Sequence, residues 1–191
     1  RDKKKQLETR FKERRTLLTS LSSTLSDQNQ ALDRLQDSRS RLQTVLDRAG
    51  VHFVSKLKGE FAQFKGNLSW PVKGRFLERY GDSRGVGSLT WQGVLIEAKP
   101  GDKIKAISGG QVVFADWMRN LGQLLIVKHD EHYMTLYAHN QSLLKAVGDT
   151  VQAGDVIASV GNSGGHEKPG LYFEIRHDGK PVDPASWLSK R

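Results

Sequence analysis

The side chains with the clearest capacity for chemistry in this chain are six histidines, because cysteine is absent and thiol catalysis and disulfides are therefore excluded. Imidazole can transfer a proton near neutral pH or bind a metal. Four of the histidines fall in expected turns or loops, namely His129, His132, His166 and His177. Scattered histidines in turns are generally exposed and inert, so we predict no metal site among them. His139, just after an expected strand, is the candidate for a catalytic role.

Residues 1–50 are predicted to form a long coiled-coil-type helix. Residues 1–49 contain no proline or glycine, and apolar side chains recur at spacings of three, four and seven. They form the seam of a heptad repeat, made by Leu7, Phe11, Leu18, Leu21, Leu25, Leu32, Leu35, Leu42 and Leu46. Such a helix would be about 70 Å long, and so narrow a stripe requires a partner. The partner is a preceding segment folded back as a hairpin, a second copy, or another protein. Gly50 is the expected stop.

Residues 67–191 are predicted to form an antiparallel β domain, which makes the fold class α+β. Glycine and proline separate short runs rich in β-branched and aromatic residues. The runs lie at 93–96, 111–115, 124–127, 133–137, 156–160 and 172–176. A Gly-Asp turn before a β-branched strand occurs twice, at Gly101-Asp102 and Gly148-Asp149.

The charge and the hydropathy of the chain exclude some classes of partner. The net charge is +9, which favours anionic partners. The chain lacks the motifs of nucleic-acid-binding proteins, so we expect no nucleic acid partner. No apolar run approaches the ~20 residues of a membrane helix. The start at Arg1, within a charged helical pattern, indicates a fragment.

The order of the short motifs after residue 67 resembles the LytM/lysostaphin-type zinc endopeptidases of peptidoglycan. The resemblance covers residues 68–188 and depends on the spacing of pieces that are individually weak. The main pieces are Trp70-Pro71-Val72-Lys73-Gly74, Leu136-Tyr137-Ala138-His139, Val160-Gly161-Asn162-Ser163-Gly164, Phe173-Glu174-Ile175 and Val182-Asp183-Pro184. The resemblance implies an antiparallel LytM-like fold.

The zinc ligands that this resemblance implies are replaced in this chain. A hydrolytic zinc site needs three protein ligands and one open position. Active relatives take the ligands from a His-x-x-x-Asp segment and from the second His of a His-x-His pair. Trp91 and Leu95 stand at the first segment, and Gly170 and Tyr172 stand at the pair. His139 alone keeps a catalytic residue type, so the resemblance implies no metal, no cofactor and no enzymatic activity here.

The replacements predict that the former active site has become a partner-binding groove. Trp, Tyr and Arg are frequent interface hot spots, and an apolar groove with a polar rim suits an amphipathic helix. The predicted groove contains Trp91, Gln92, Leu95, Leu121, Leu124, Tyr137, His139, Leu171, Tyr172 and Arg176. The alternative is that these side chains only fill the vacated site. The groove interpretation expects Tyr172→Ala and Arg176→Ala to abolish activation of a partner without loss of thermal stability.

A heptad-rich helix before a LytM domain without ligands resembles the EnvC-type murein hydrolase activators of Gram-negative bacteria. The similarity is close at 89–93 and 171–176. It implies a non-catalytic periplasmic protein, recruited to the division septum, that promotes peptidoglycan hydrolysis and daughter-cell separation. The implied partners are zinc-dependent N-acetylmuramoyl-L-alanine amidases, whose autoinhibitory helix the groove would bind. The FtsEX division transporter would bind the coiled coil, and peptidoglycan is a further candidate ligand.

Residues 51–66 form a second, shorter amphipathic pattern. Its apolar stripe consists of Val54, Leu57, Phe61 and Phe64, and Gly59 weakens it as an independent helix. One interpretation is a restraining helix that lies in the predicted groove. The other is a connector packed on the β domain.

Two other functions remain open from the sequence. The chain is an active zinc peptidoglycan endopeptidase if the alignment around Trp91 or Gly170 is wrong. It is a periplasmic adaptor of an efflux pump if the spacing from Gly148 to Ile157 marks a biotinyl-like barrel. Adaptors, however, place their helical hairpin inside the barrel sequence, whereas here the helix comes first.

Overall fold

The structure, a computed structural model that describes residues 2–51, 61–165 and 168–190, consists of one long helix followed by an antiparallel β domain. The helix α1 spans Asp2–Val51, so it ends one residue after the predicted stop at Gly50. Its composition is too polar for a bilayer, and no helix in the described residues could cross one. The predicted α+β class is confirmed.

Among the described residues, the β domain contains ten strands and two short 3₁₀ helices. The 3₁₀ helices are Phe61–Phe64 and Pro184–Ser186. The strands are β1 Phe76–Glu78, β2 Val94–Glu97, β3 Lys103–Lys105, β4 Gly110–Met118, β5 Gly122–Lys128, β6 Tyr133–Leu143, β7 Thr150–Val151, β8 Val156–Val160, β9 Gly170–His177 and β10 Lys180–Val182. Each of the six predicted runs overlaps one of these strands.

The strands form one sheet in which every pairing between named strands is antiparallel. The main order is β1-β2-β9-β6-β5-β4-β7, while β10 pairs with β9, and β8 pairs with β3 and β6. The centre of the sheet is therefore β9 and β6, which are far apart in sequence. This arrangement brings the segment before β2, the middle of β9 and the end of β6 close together.

The sheet separates two cores, because side chains alternate between its faces along each strand. We call one side the core face, whose buried residues include Val94, Ile96, Leu125, Val127, Tyr137, Leu171, Phe173 and Trp187. We call the other side the cleft face, whose buried residues are Leu42, Leu46, Trp91, Leu95, Met118, Leu124, Ile126, Met134, Leu136, Ala138 and Tyr172.

The helix α1 contacts the β domain through its C-terminal half. Leu42 and Leu46 are buried in the cluster of the cleft face. By contrast, Leu17, Leu18, Leu21 and Leu25, on the preceding turns, are 57% to 69% exposed. One heptad stripe is thus covered by the sheet at one end and uncovered further along the helix.

The segment 51–66 is only partly described, and its visible end is not an α-helix lying in the cleft. Val54 and Leu57 lie outside the described residues. Phe61 begins a 3₁₀ turn and is buried on the core face, where its ring lies 4.5 Å from the His129 ring and 5.2 Å from the Trp187 ring, centroid to centroid. Phe64 is exposed. The described end of this segment therefore packs as a connector.

Candidate functional site

The cleft face presents a floor of apolar side chains from neighbouring strands. Leu95 of β2 is paired in register with Tyr172 of β9. Leu124 of β5 and Leu95 are completely buried, and Leu121 covers the edge of the same cluster. Gly93 lets β2 approach β9, since a Cβ there would lie 2.3 Å from the Phe173 carbonyl oxygen. The close approach brings Trp91 and Gln92 over the floor.

Three rings and one guanidinium form the aromatic wall of the cleft. The centroid of the Trp91 ring lies 5.7 Å from that of Tyr172, which in turn lies 5.9 Å from the His139 ring. The guanidinium carbon of Arg84 lies 4.1 Å from the centroid of Trp91. A cation over an indole face contributes about 0.5–1 kcal/mol at an exposed site. Arg84 therefore holds Trp91 in a defined orientation and brings positive charge to the rim.

A buried ion pair lies beside this wall. Glu174 accepts a hydrogen bond from the Tyr172 hydroxyl over 2.6 Å and from Arg176 Nε over 2.7 Å. Arg176 also donates to the Gly179 carbonyl at 2.9 Å and to Gln92 Oε1 at 3.3 Å. Burial, and then the adjacent Glu174 carboxylate, raise the pKa of Tyr172 well above its ordinary value. The phenol is therefore a neutral hydrogen-bond donor, and the charges of Glu174 and Arg176 offset each other.

The cleft does not fit a catalytic zinc ion. Trp91 and Leu95 offer no oxygen or imidazole ligand, and the hydroxyl of Tyr172 is directed at Glu174. His139 Nδ1 lies 2.8 Å from the Ser163 carbonyl oxygen, to which it donates. Within residues 2–51, 61–165 and 168–190, the group of three metal-binding side chains that could share an ion lies outside the cleft.

Two residues predicted for the groove lie on the opposite side of the sheet. Tyr137 and Leu171 are completely buried on the core face. The Tyr137 hydroxyl accepts from the Ile107 N–H and is hydrogen-bonded to Thr135 Oγ1, both at 3.2 Å. Burial raises the pKa of Tyr137 to about 12. Strand alternation causes both errors, because the neighbouring residues Ala138 and Tyr172 already face the cleft.

The remaining predicted groove residues are brought together on the cleft face. They are Trp91, Gln92, Leu95, Leu121, Leu124, His139, Tyr172 and Arg176. Sequence reasoning missed Arg84 and Glu174. For Glu174 a signal existed, since it stands between Tyr172 and Arg176 at a spacing of two and must share their face. Arg84 lies in the loop before Trp91, and the sequence carries no such signal for it.

The C-terminal half of α1 covers the cleft. Leu42 and Leu46, one turn apart, belong to the same buried cluster as Trp91, Leu95 and Tyr172. Between helix and sheet remains a cavity of about 210 Å³, lined by Leu35, Ser38, Arg39, Leu42, Arg84, Ser88, Leu89, Thr90, Gln92, Asn120, Leu121, Tyr172 and Glu174. The helix that lies on the groove is therefore α1.

A polar contact anchors the helix at the rim of the cleft. The Asn120 amide donates to Ser38 Oγ over 2.7 Å and to the Arg34 carbonyl over 3.2 Å. Asn120 lies in the turn between β4 and β5 with a φ of 64°, a conformation that asparagine tolerates better than most residues. Its side chain therefore links the turn to α1.

Comparison with known proteins identifies the fold and the family. Residues 89–184 match the model of peptidase family M23. The chain is 46% identical over 126 residues to the murein hydrolase activator EnvC of Escherichia coli, covering 66% of this chain and 30% of EnvC. It is 37% identical over 123 residues to the murein hydrolase activator NlpD of E. coli, covering 64% of this chain and 31% of NlpD. The chain thus spans about a third of the length of these relatives.

Solved structures agree with the fold. A zinc-containing peptidase from Vibrio cholerae matches with a TM-score of 0.60 at 22% identity, over 66% of this chain and 41% of that one. The catalytic domain of lysostaphin from Staphylococcus simulans matches with a TM-score of 0.55 at 27% identity, over 58% of this chain and 89% of that one. The LytM-like architecture expected from the sequence is confirmed, and the chain belongs to peptidase family M23.

Proposed function

We propose that this chain is a non-catalytic activator of zinc-dependent N-acetylmuramoyl-L-alanine amidases. The observation that carries the proposal is the cleft of an M23 fold with Trp91, Leu95 and Tyr172 at its centre and no fitting set of zinc ligands. The similarity to proteins named murein hydrolase activators supports the same role. The described residues at the former catalytic position offer no set of zinc ligands, and since function belongs to the site and not to the fold, the retained cleft is expected to act through binding.

The proposed ligand of the cleft is the autoinhibitory helix of the amidase. The packing of α1 on the cleft through Leu42 and Leu46, which are spaced by one turn, supports this proposal. An amidase helix with the same spacing would meet the same floor and the same aromatic wall. Capturing it shifts the amidase from its blocked to its open state.

The energy available from such a contact suits a switch. Moving an equilibrium from 1:99 to 99:1 takes about 5.5 kcal/mol of differential binding. Each fully buried leucine-type anchor contributes about 1.5–3 kcal/mol. Three anchors on the floor around Leu95 and Leu124 are therefore of the magnitude that such a switch requires.

The same contact makes α1 a restraint on activation. The amidase helix and the turns around Leu42 and Leu46 cannot occupy the cleft together. Activation then requires α1 to leave, and the uncovered leucines at 17–25 offer a surface on which a membrane partner such as the FtsEX transporter acts. The proposed site of action is the periplasm at the division septum, where peptidoglycan hydrolysis separates daughter cells.

The test combines the purified chain with a zinc amidase and dye-labelled peptidoglycan. The chain alone is expected to release no dye, and the amidase with the chain should release more than the amidase alone. Dye release by the chain alone, abolished by a chelator, would show that it is itself a peptidase.

A further inference from the structure

Three side chains that could bind a metal, from two turns that are distant in sequence, meet at the end of the sheet, outside the cleft. His132 lies in the turn between β5 and β6, and His177 and Asp178 lie at the turn between β9 and β10. His132 Nδ1 is 2.7 Å from Asp178 Oδ1, and His177 Nε2 is 3.4 Å from Asp178 Oδ2. One ligand atom from each residue lies within 4.8 Å of the other two.

The backbone holds the two turns together without any metal. β6 and β9 are hydrogen-bonded neighbours, with Tyr133 opposite His177. The Asp178 N–H donates to the His132 carbonyl over 2.8 Å. The His177 ring is stacked on Tyr133 at 4.6 Å between centroids. The sheet therefore positions the three side chains, and ligand binding has little backbone to order.

The chemical types of the three side chains determine which metal ions they favour. Imidazole nitrogen suits zinc, copper and nickel, whereas magnesium and calcium prefer oxygen ligands. A tetrahedral zinc ion sits about 2.0–2.1 Å from nitrogen and oxygen ligands, so its ligands are separated by about 3.3 Å. The separations between Asp178 and the two histidines bracket this value. All three side chains are exposed, so small rotations can close the site.

Contrary to the expectation from the sequence that the histidines in turns bind no metal, we propose that His132, His177 and Asp178 form a surface site for a divalent transition metal, with zinc as the expected ion. Two imidazoles and one carboxylate supply three ligands, and water completes the tetrahedron. The bound ion would link the β5–β6 turn to the β9–β10 turn. It would occupy the end of the sheet and not the former catalytic position near His139.

The experiment titrates zinc chloride into the whole chain by isothermal titration calorimetry. The proposal predicts one saturable equivalent of zinc and no saturable heat from magnesium chloride. His132→Gln, His177→Phe and Asp178→Asn should each weaken zinc binding at least tenfold. These variants preserve the fold, because Phe keeps the stacking on Tyr133 and Asn tolerates the φ of 49° at position 178.

Two control variants distinguish this site from other histidines. His166→Ala removes a histidine that is separate in sequence from both turns of the site, and His139→Gln removes the histidine in the cleft. Both should retain the affinity for zinc. The proposal is overturned if the unmodified chain shows no saturable zinc binding, if the three site variants bind zinc as tightly as the unmodified chain, or if His139→Gln alone abolishes binding.

Discussion

The Tyr172 hydroxyl donates a hydrogen bond to Glu174 Oε1 over 2.6 Å, and through it the aromatic wall of the cleft is fixed to a buried ion pair. Glu174 and Arg176 are each at most 3% exposed. Tyr172 therefore has two roles, because its ring faces the cleft while its hydroxyl satisfies a buried carboxylate. A cleft that was simply plugged with apolar side chains would have no need of this pair.

Removing one partner of the buried ion pair is expected to destabilise the fold. Arg176→Ala should lower the free energy of unfolding by about 3–5 kcal/mol, because the Glu174 carboxylate stays buried without its partner. Urea unfolding followed by circular dichroism measures the loss. This prediction replaces the expectation from sequence that Arg176→Ala leaves the stability unchanged, so this variant alone does not report on the groove.

The matched control removes both charges at once. The double variant Glu174→Leu/Arg176→Met should be more stable than Arg176→Ala, since no unpaired charge remains. If the double variant is instead less stable than Arg176→Ala, the pair is not the source of the effect.

Freeing the cleft from α1 is expected to strengthen partner binding. Leu42→Glu/Leu46→Glu places two carboxylates against the apolar floor, so the helix should undock and amidase stimulation should rise at least tenfold at limiting chain concentration. The matched control, Leu18→Glu/Leu21→Glu, makes the same change on exposed turns of the same helix. Equal stimulation by both variants would contradict the restraint by α1.

The stability of the fold is expected to decrease as the pH is lowered, because His129 is buried in its neutral form. This residue is buried, with Nδ1 2.7 Å from the Gly109 carbonyl and Nε2 2.8 Å from Thr135 Oγ1. Burial lowers its pKa from 6.5 to about 4. The unfolded chain therefore binds the proton first, so the stabilisation is complete above pH 6.5 and is lost between pH 6.5 and pH 4, by up to about 3 kcal/mol.

Unfolding in urea at pH 7 and pH 5 measures this dependence. Asp178 raises the pKa of His132, first through their hydrogen bond, and this opposes the trend by adding stability at low pH. The measurement is therefore made in a His132→Gln background. His129→Gln should cost stability at both pH values and flatten the dependence; an unchanged slope would mean that other groups cause it.

The order of the elements could be predicted from the sequence, because local patterns specify them. Glycine and proline punctuation located the strands, and the long interval without them located α1. Without strand alternation, Tyr137 and Leu171 were assigned to the groove, although they face the other side of the sheet. Applying the same alternation would have added Glu174.

Contacts between segments that are distant in the sequence could not be predicted from local patterns. A stripe such as Leu42 and Leu46 looks the same whether it meets another helix or a sheet, so the covering of the cleft by α1 could not be predicted. The sequence likewise places His132 in one turn and His177 and Asp178 in another. Only the pairing of β6 with β9 brings the two turns together. Long-range strand pairing decides both features.

The most direct test of the central claim measures binding of a fluorescent peptide with the sequence of the amidase autoinhibitory helix. Fluorescence anisotropy is recorded with the Leu42→Glu/Leu46→Glu chain, in which the cleft is uncovered. Adding Trp91→Ala should weaken the peptide at least tenfold, whereas adding Phe64→Ala, an exposed aromatic residue of the 3₁₀ turn outside the cleft, should leave the affinity unchanged. Equal affinity of the Trp91→Ala and Phe64→Ala chains for the peptide would contradict docking in the cleft.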